Sequence, residues 1–433
     1  MTHQKSTEAK GCLSCQEYEN LSRRHFMGLV GGAIGAAWMP RVVLAKSASD
    51  RDVVVSIFLR GGADALAICP PFGEAAYYDL RPNLAIAPPD SSQADRAIDL
   101  DGFFGFAPSM EPLMEAYQDG QLLVVQACGQ HSSTRSHFEA MHFMEIGQEN
   151  PPGDLVTGWL GRHLQGTAPT NATAALRAIA MGAALPRTLV GAPQTLPMED
   201  PSEFGYGGDP ETLAARRATL EFMYDFAPTL LKRSAGDTFA TIDLLKKIDF
   251  AGYQPAVEAT YQDDELGLSL RSVAALIKAE VGVEAAAVDV GGWDTHESQG
   301  AVGGGMAALM SSLATNLAAF HKDLQSDGFD RVVVVTTSEF GRNAFENGSL
   351  GTDHGHGGIM FALGSGIRGG RVLANWPGLE HEQLYEEQDL HVTIDYRDVL
   401  GEILAKRLGN NDWRALFPDA GYRPRRYGVA HTV

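Results

Sequence analysis

Glu339 ends the apolar run 332-VVVVTTSE-339, and fourteen residues later Asp353, His354 and His356 stand among glycines in 351-GTDHGHGG-358. Three other stretches carry the same mixture of groups. Asp64 follows Arg60-Gly61-Gly62-Ala63, His131 to His137 spell HSSTRSH, and Asp289, Asp294 and His296 lie in 288-VDVGGWDTH-296. Carboxylates and imidazoles without thiolates suit a divalent ion such as Zn, Mn, Mg or Ca, and argue against copper(I) or iron–sulfur. A hydroxyl beside such an ion is an activatable nucleophile, and Ser132, Ser133 and Thr134 offer three. His137 is near enough in sequence to act on a proton there. Arg60 and Arg135 could hold a substrate anion in a bidentate grip.

Each piece also has a plainer reading. Asp64 could satisfy the amides of its own turn. Asp294 and His296 could cap a following helix. Glu339 could pair with Arg342, and both Arg60 and Arg135 could sit in internal salt bridges. The Asp353-His354-Gly355-His356 loop is the piece least easily explained this way. What raises the set above its parts is a shared position, because each group follows the end of an apolar run.

Those runs define the elements. DVVVSIFL (52–59), QLLVVQAC (121–128), the strand opening VEAAAVDV and VVVVTT are short, continuous and rich in β-branched residues, as buried strands are. LRAIAMG (176–182) and TLVGA (188–192) read as weaker strands. Helical spacing covers 111–119, the segment after His137, 306–325 and most of 208–280, and residues 391–409 read as a strand passing into a helix. Strands alternating with helices predict an α/β fold with a mostly parallel sheet sandwiched between helices. In such a sheet the site lies at the carboxyl ends of the strands, where the polar groups fall. One domain is expected over about 50–425, with a mainly helical insertion near 208–280.

Of the 433 residues, 54 are acidic and 34 are Lys or Arg, for a net charge of −20, which repels phosphate backbones and argues against nucleic-acid binding. Ser22-Arg23-Arg24-His25-Phe26 opens a Gly/Ala-rich apolar stretch ending near Met39, with small residues at 44–48. This pattern over residues 1–45 resembles a twin-arginine export signal and is too short for a spanning helix. It predicts a periplasmic or extracellular protein that engages the twin-arginine translocase and is not an integral membrane protein after processing. Cys12 and Cys15 form a CxxC upstream of the small residues, and no second pair completes a zinc site.

The twin-arginine start, FLRGGADAL, TRSHFEAM, VDVGGWDTHESQG, SEFGR, GTDHGHGG and TIDYR together resemble the exported bacterial family called domain of unknown function 1501, over nearly the whole mature chain. That family is in turn distantly similar to the alkaline phosphatase and sulfatase superfamily, which implies an alkaline-phosphatase-like core. The resemblance implies Asp64 as the metal-binding Asp after the first strand. It implies Ser133 as nucleophile, with Ser132 or Thr134 as alternatives because Arg135 replaces the superfamily's proline. Asp289 and Asp294 keep the spacing of two superfamily carboxylates, but His296 is displaced and Ser298 stands where a histidine is expected. Glu339 stands for an Asp, and Phe340 for a histidine it cannot replace as a ligand. His354 or His356 would supply the distant imidazole, with Asp353 beside them. The departures point to a single-metal or rearranged site.

Two functional expectations follow. One is an exported metal-dependent hydrolase of small anionic phosphate or sulfate esters. The other is a non-catalytic envelope or binding protein that kept the fold.

Overall fold

The computed structural model describes residues 51–149, 151, 155–172 and 174–433. The export segment of residues 1–45, with Cys12 and Cys15, lies outside the described residues. The strands are β1 (Val53–Leu59), β2 (Ile98–Asp99), β3 (Gly105–Phe106), β4 (Leu122–Gly129), β5 (Ala178–Met181), β6 (Thr195–Met198), β7 (Ala285–Val290), β8 (Val332–Ser338), β9 (Gly358–Leu363), β10 (Arg371–Leu373) and β11 (Ile394–Asp395). β2 and β3 pair with each other. The rest form one sheet in the order β10-β4-β9-β8-β1-β7-β5-β6, with β11 also paired to β4. Every pairing in it is parallel except those of β9, which runs antiparallel between β4 and β8.

The helices are α1 (Ala65–Ile68), α2 (Ala75–Leu80), α3 (Met114–Gln118), α4 (His137–Ile146), α5 (Trp159–Gly166), α6 (Leu213–Asp225), α7 (Thr229–Leu245), α8 (Glu265–Lys278), α9 (Gly305–Ser326), α10 (Tyr396–Lys406) and α11 (Trp413–Leu416). They cover both faces of the sheet, which is why β1, β4, β8 and β9 are buried along nearly their whole length. On β1, Val55, Ile57 and Leu59 pack with α8 and α9 residues such as Leu270, Val273, Leu313 and Phe320. Val54 and Phe58 point the other way, to a core built with Leu160 of α5 and Val399, Leu400 and Ile403 of α10. The period-two alternation of a strand thus feeds two cores from one sequence run.

The strong apolar runs form strands within a residue or two of their expected bounds. Residues 188–192 do not: Arg187–Leu189 is a 3-10 turn, and the strand beside β5 is Thr195–Met198. TLVGA is too short for its composition to outweigh the register that lets 195–198 lie alongside 178–181. The antiparallel strand Gly358–Leu363 and the short strand Arg371–Leu373 were not anticipated. β9 matters for the site. It enters the sheet at the edge where its neighbour β8 leaves, so residues 339–357 fold back over the carboxyl edge. Among the described residues no helix is long and apolar enough to cross a membrane.

Candidate metal centre

Four polypeptide segments meet above this edge: the β1–α1 turn, the loop from β4 into α4, the loop after β7 and the loop from β8 to β9. Arg342, whose side chain is 0% exposed, ties three of them together. Its guanidinium donates to the carbonyls of Gly61, Gly62, Trp293 and Thr352 and, at 2.6 Å, to Asp294 Oδ1. The plainer pairing of Arg342 with Glu339 is not the one formed. Glu339 is fully buried. It accepts from the Gly61 amide at 2.8 Å and lies 2.7 Å from His137 Nδ1.

His137 Nε2, Asp294 and His354 bring their ligand atoms within 4.8 Å of one another. His137 Nε2 is 3.4 Å from Asp294 Oδ2, and His354 Nε2 is 3.1 Å from Asp294 Oδ1. His296 Nε2 joins them, at 2.9 Å from Asp294 Oδ1 and 3.0 Å from His354 Nε2. All three rings turn the same way. Their Nδ1 atoms face acceptors on the outside: Glu339 for His137, the Arg135 carbonyl for His354 at 2.9 Å, and Asp353 for His296 at 3.1 Å. An acceptor oxygen requires a proton on Nδ1, so in each neutral ring Nε2 presents a lone pair. Three lone pairs then converge on a carboxylate, itself an acceptor, and His137 Nε2 is buried without a hydrogen-bond partner. Acceptors gathered in this way can hold a cation. Ligands of a four-coordinate zinc ion with bonds of about 2.0–2.1 Å stand roughly 3.3 Å apart, close to the gaps found here.

Charge is shared across the cluster. The hydrogen bond to Glu339 pushes His137 above the ordinary histidine value, against the effect of burial. Burial holds His354 below it. Burial disfavours the charged form of Asp294, yet Arg342, His354 and His137 hold its carboxyl below the usual range. Hydrogen bonds from His296 and Asn347 lower Asp353. Phe340 is buried and packs its ring 4.9 Å from both His137 and His354, whose own centroids are 4.3 Å apart.

The other sequence candidates lie around this centre. Asp64 caps α1, accepting from Leu66 N, and takes 2.6 Å hydrogen bonds from buried Arg81 and from Gln299. Asp289 accepts from Arg60 at 2.9 Å, and the same nitrogen reaches Glu145 at 3.0 Å. Burial raises Asp289 despite that partner. Arg135 is held by Asp389 at 2.6 Å and Glu386 at 2.9 Å. His356 stacks on Tyr385 with centroids 4.2 Å apart, and burial pushes it down to about 4. His131 lies half-exposed, 3.9 Å from Asp395. In the hydroxyl loop, Ser132 Oγ accepts from Thr134 N and Thr134 donates to Glu139 at 2.8 Å, while Ser133 is exposed. Sequence reasoning missed Arg342 as the clamp and Arg81 and Gln299 as the partners of Asp64. The available signal for Arg342 was an arginine four residues past the end of a buried strand, where a charge must find a partner.

Beyond the geometry, the chain matches no curated protein. Among solved structures it is similar to the alkaline phosphatase from the Antarctic bacterium TAB5, at 9% identity and a TM-score of 0.26, over 73% of this chain and 92% of that one. A histidine-to-aspartate variant of the TAB5 enzyme, with Mg bound, matches at 8% identity and a TM-score of 0.27, over 72% and 91%. Backbones that superpose this loosely transfer no residue role. Residues 51–412 match the family described as "Protein of unknown function (DUF1501)", and to that family the chain belongs.

Proposed function

We propose that this protein is an exported metal-dependent ester hydrolase whose ion is held by His137, Asp294 and His354, with His296 beside them. The observation that carries the reading is the convergence of three imidazole Nε2 atoms on Asp294 with every Nδ1 anchored from outside. When bound, the ion supplies Lewis acidity toward an ester oxygen. Glu339 orients His137 and raises its basicity, and the Arg135 carbonyl and Asp353 do the same for His354 and His296. Arg342 keeps Asp294 ionised and aimed. Ser133, exposed on the loop that leads into His137, is the proposed nucleophile, with Ser132 and Thr134 already engaged in local hydrogen bonds.

Phosphate and sulfate monoesters are the substrate class to test first. Arg60 and Arg135 are both neutralised by carboxylates, so the positive charge for an anionic ester must come chiefly from the ion. That pairing also favours a second reading, a metal-holding envelope protein without turnover. Export by the twin-arginine translocase to the periplasm or beyond is proposed from Ser22-Arg23-Arg24 and the apolar stretch that follows.

The test is elemental analysis of protein purified from the periplasm without chelators, beside a His354→Ala/Asp294→Ala variant. About one Zn, Mn, Ca or Mg per chain, lost in the variant, is expected. Turnover of p-nitrophenyl phosphate or p-nitrophenyl sulfate by the loaded protein, abolished by Ser133→Ala, supports the hydrolase. Metal without turnover selects the second reading, and no metal in either form sinks both.

A further inference from the structure

A separate pocket of about 530 Å³ opens at the same sheet edge, beyond β7. Its walls are the ends of β5 and β6, the α8 face bearing Leu268 and Arg271, and Phe250 and Tyr253 from the segment after α7. Met181 at its floor is in register with Val288, the residue before Asp289. The volume is that of a small-molecule site.

Arg271 is the one arginine lining this pocket. It is half-buried, its Nε is sealed from solvent with no hydrogen-bond partner, and among the described residues it makes no ion pair. Every arginine at the metal centre, by contrast, is tied to a carboxylate. A planar guanidinium that no carboxylate holds pairs best with an oxyanion, here through its terminal nitrogens. The rim limits which oxyanion. Glu199 and Glu265 line the pocket as exposed carboxylates, and Asp200 lies beside them, already bonded to Ser202 at 2.7 Å and 2.6 Å. Three carboxylates repel a dianion about twice as strongly as a monoanion, and they accept hydrogen bonds from hydroxyls. Phe250 and Tyr253 add flat apolar surface, and Tyr253 is fixed by its 2.7 Å bond to Asp323.

We propose that this pocket binds a small, monoanionic, hydroxyl-bearing organic acid, of which a uronic acid is the simplest representative. Arg271 takes the carboxylate, Phe250 and Tyr253 pack against the apolar face of the ring, and Glu199 and Glu265 accept from its hydroxyls. None of the metal-centre residues lines the pocket, so binding here is independent of the ion and of turnover.

The test is calorimetric titration of the whole protein with D-glucuronate, D-glucose and inorganic phosphate. Saturable binding of glucuronate at least about tenfold tighter than glucose or phosphate is expected, with that advantage lost in Arg271→Gln. Leu268→Trp, at a position 51% exposed on the pocket wall, is expected to weaken glucuronate about tenfold with an unchanged thermal midpoint. The proposal is overturned by any of four results: no glucuronate binding, glucuronate no tighter than glucose, phosphate the tightest of the three, or both variants binding like the wild type.

Discussion

A histidine offers a lone pair in a chosen direction only when its other nitrogen is pinned, and here three are pinned at once. Glu339 does this for His137 from a fully buried position, itself held by the Gly61 amide. Glu339→Gln keeps the size and an acceptor for Gly61 but removes the charge behind the imidazole. It is expected to weaken metal binding about 10- to 100-fold, the usual scale for a partner behind a ligand, with the fold intact. Competition against a chromophoric chelator measures this, and an unchanged affinity would mean that His137 is not a ligand. Asp64 illustrates the opposite case. Its carboxylate is occupied by Arg81 and Gln299 on one oxygen and by the α1 amide of Leu66 on the other. The residue type and its place after a strand do not distinguish a ligand from a cap, because partners distant in sequence decide which it becomes.

At the scale of elements, the site depends on backbones that approach closer than side chains allow. Gly61 has φ +124°, and a Cβ on it would sit 2.4 Å from the Asp294 amide. Gly102 has a positive φ too, but open space around it. Gly102→Ala is therefore expected to cost about 1 kcal/mol of backbone strain, and Gly61→Ala about 2–4 kcal/mol, because it also drives apart the loops after β1 and β7. Urea unfolding measures both. Gly61→Ala should in addition lose metal affinity through displaced Asp294, and Gly102→Ala should not. The loops were legible as glycine-rich turns following strands. Their convergence was not, because it rests on β9 entering antiparallel, and a six-residue apolar run does not state its direction.

For the whole molecule, two histidines remote from the metal centre link stability to pH. Burial, with Arg51 and Arg177 nearby, pushes His163 down to about 3, and burial pushes His321 down to about 4. Both lie below the unfolded value of about 6.5, so between those limits the unfolded chain binds a proton that the folded chain does not. Stability is therefore full above about pH 6.5 and falls as the pH drops, by about 1.4 kcal/mol per pH unit for each histidine, until its folded pKa is reached. Urea titrations between about pH 7 and pH 5 should show that slope, reduced by one histidine's share in His163→Asn; an unchanged slope would mean that His163 takes up its proton in the folded state.

The sequence by itself determined the alternation of strands and helices, the two-faced burial of the sheet and the edge at which the polar groups collect. Those follow from local periodicity and from the rule that crossover connections put helices on both faces of a parallel sheet. It also offered Asp294, His296 and His354 as ligand candidates among several equal ones, and His137 only as a group to act on a proton. Only the tertiary structure gathers these four into one cluster and gives Asp64, Asp289 and His356 other partners. The reason is that a ligand is defined by the direction of a lone pair and by the absence of a competing donor, and both are set by residues far away in the chain. Asp294 and Asp289 are five residues apart on one strand end. Arg342 and three imidazoles meet the first, and Arg60 closes off the second.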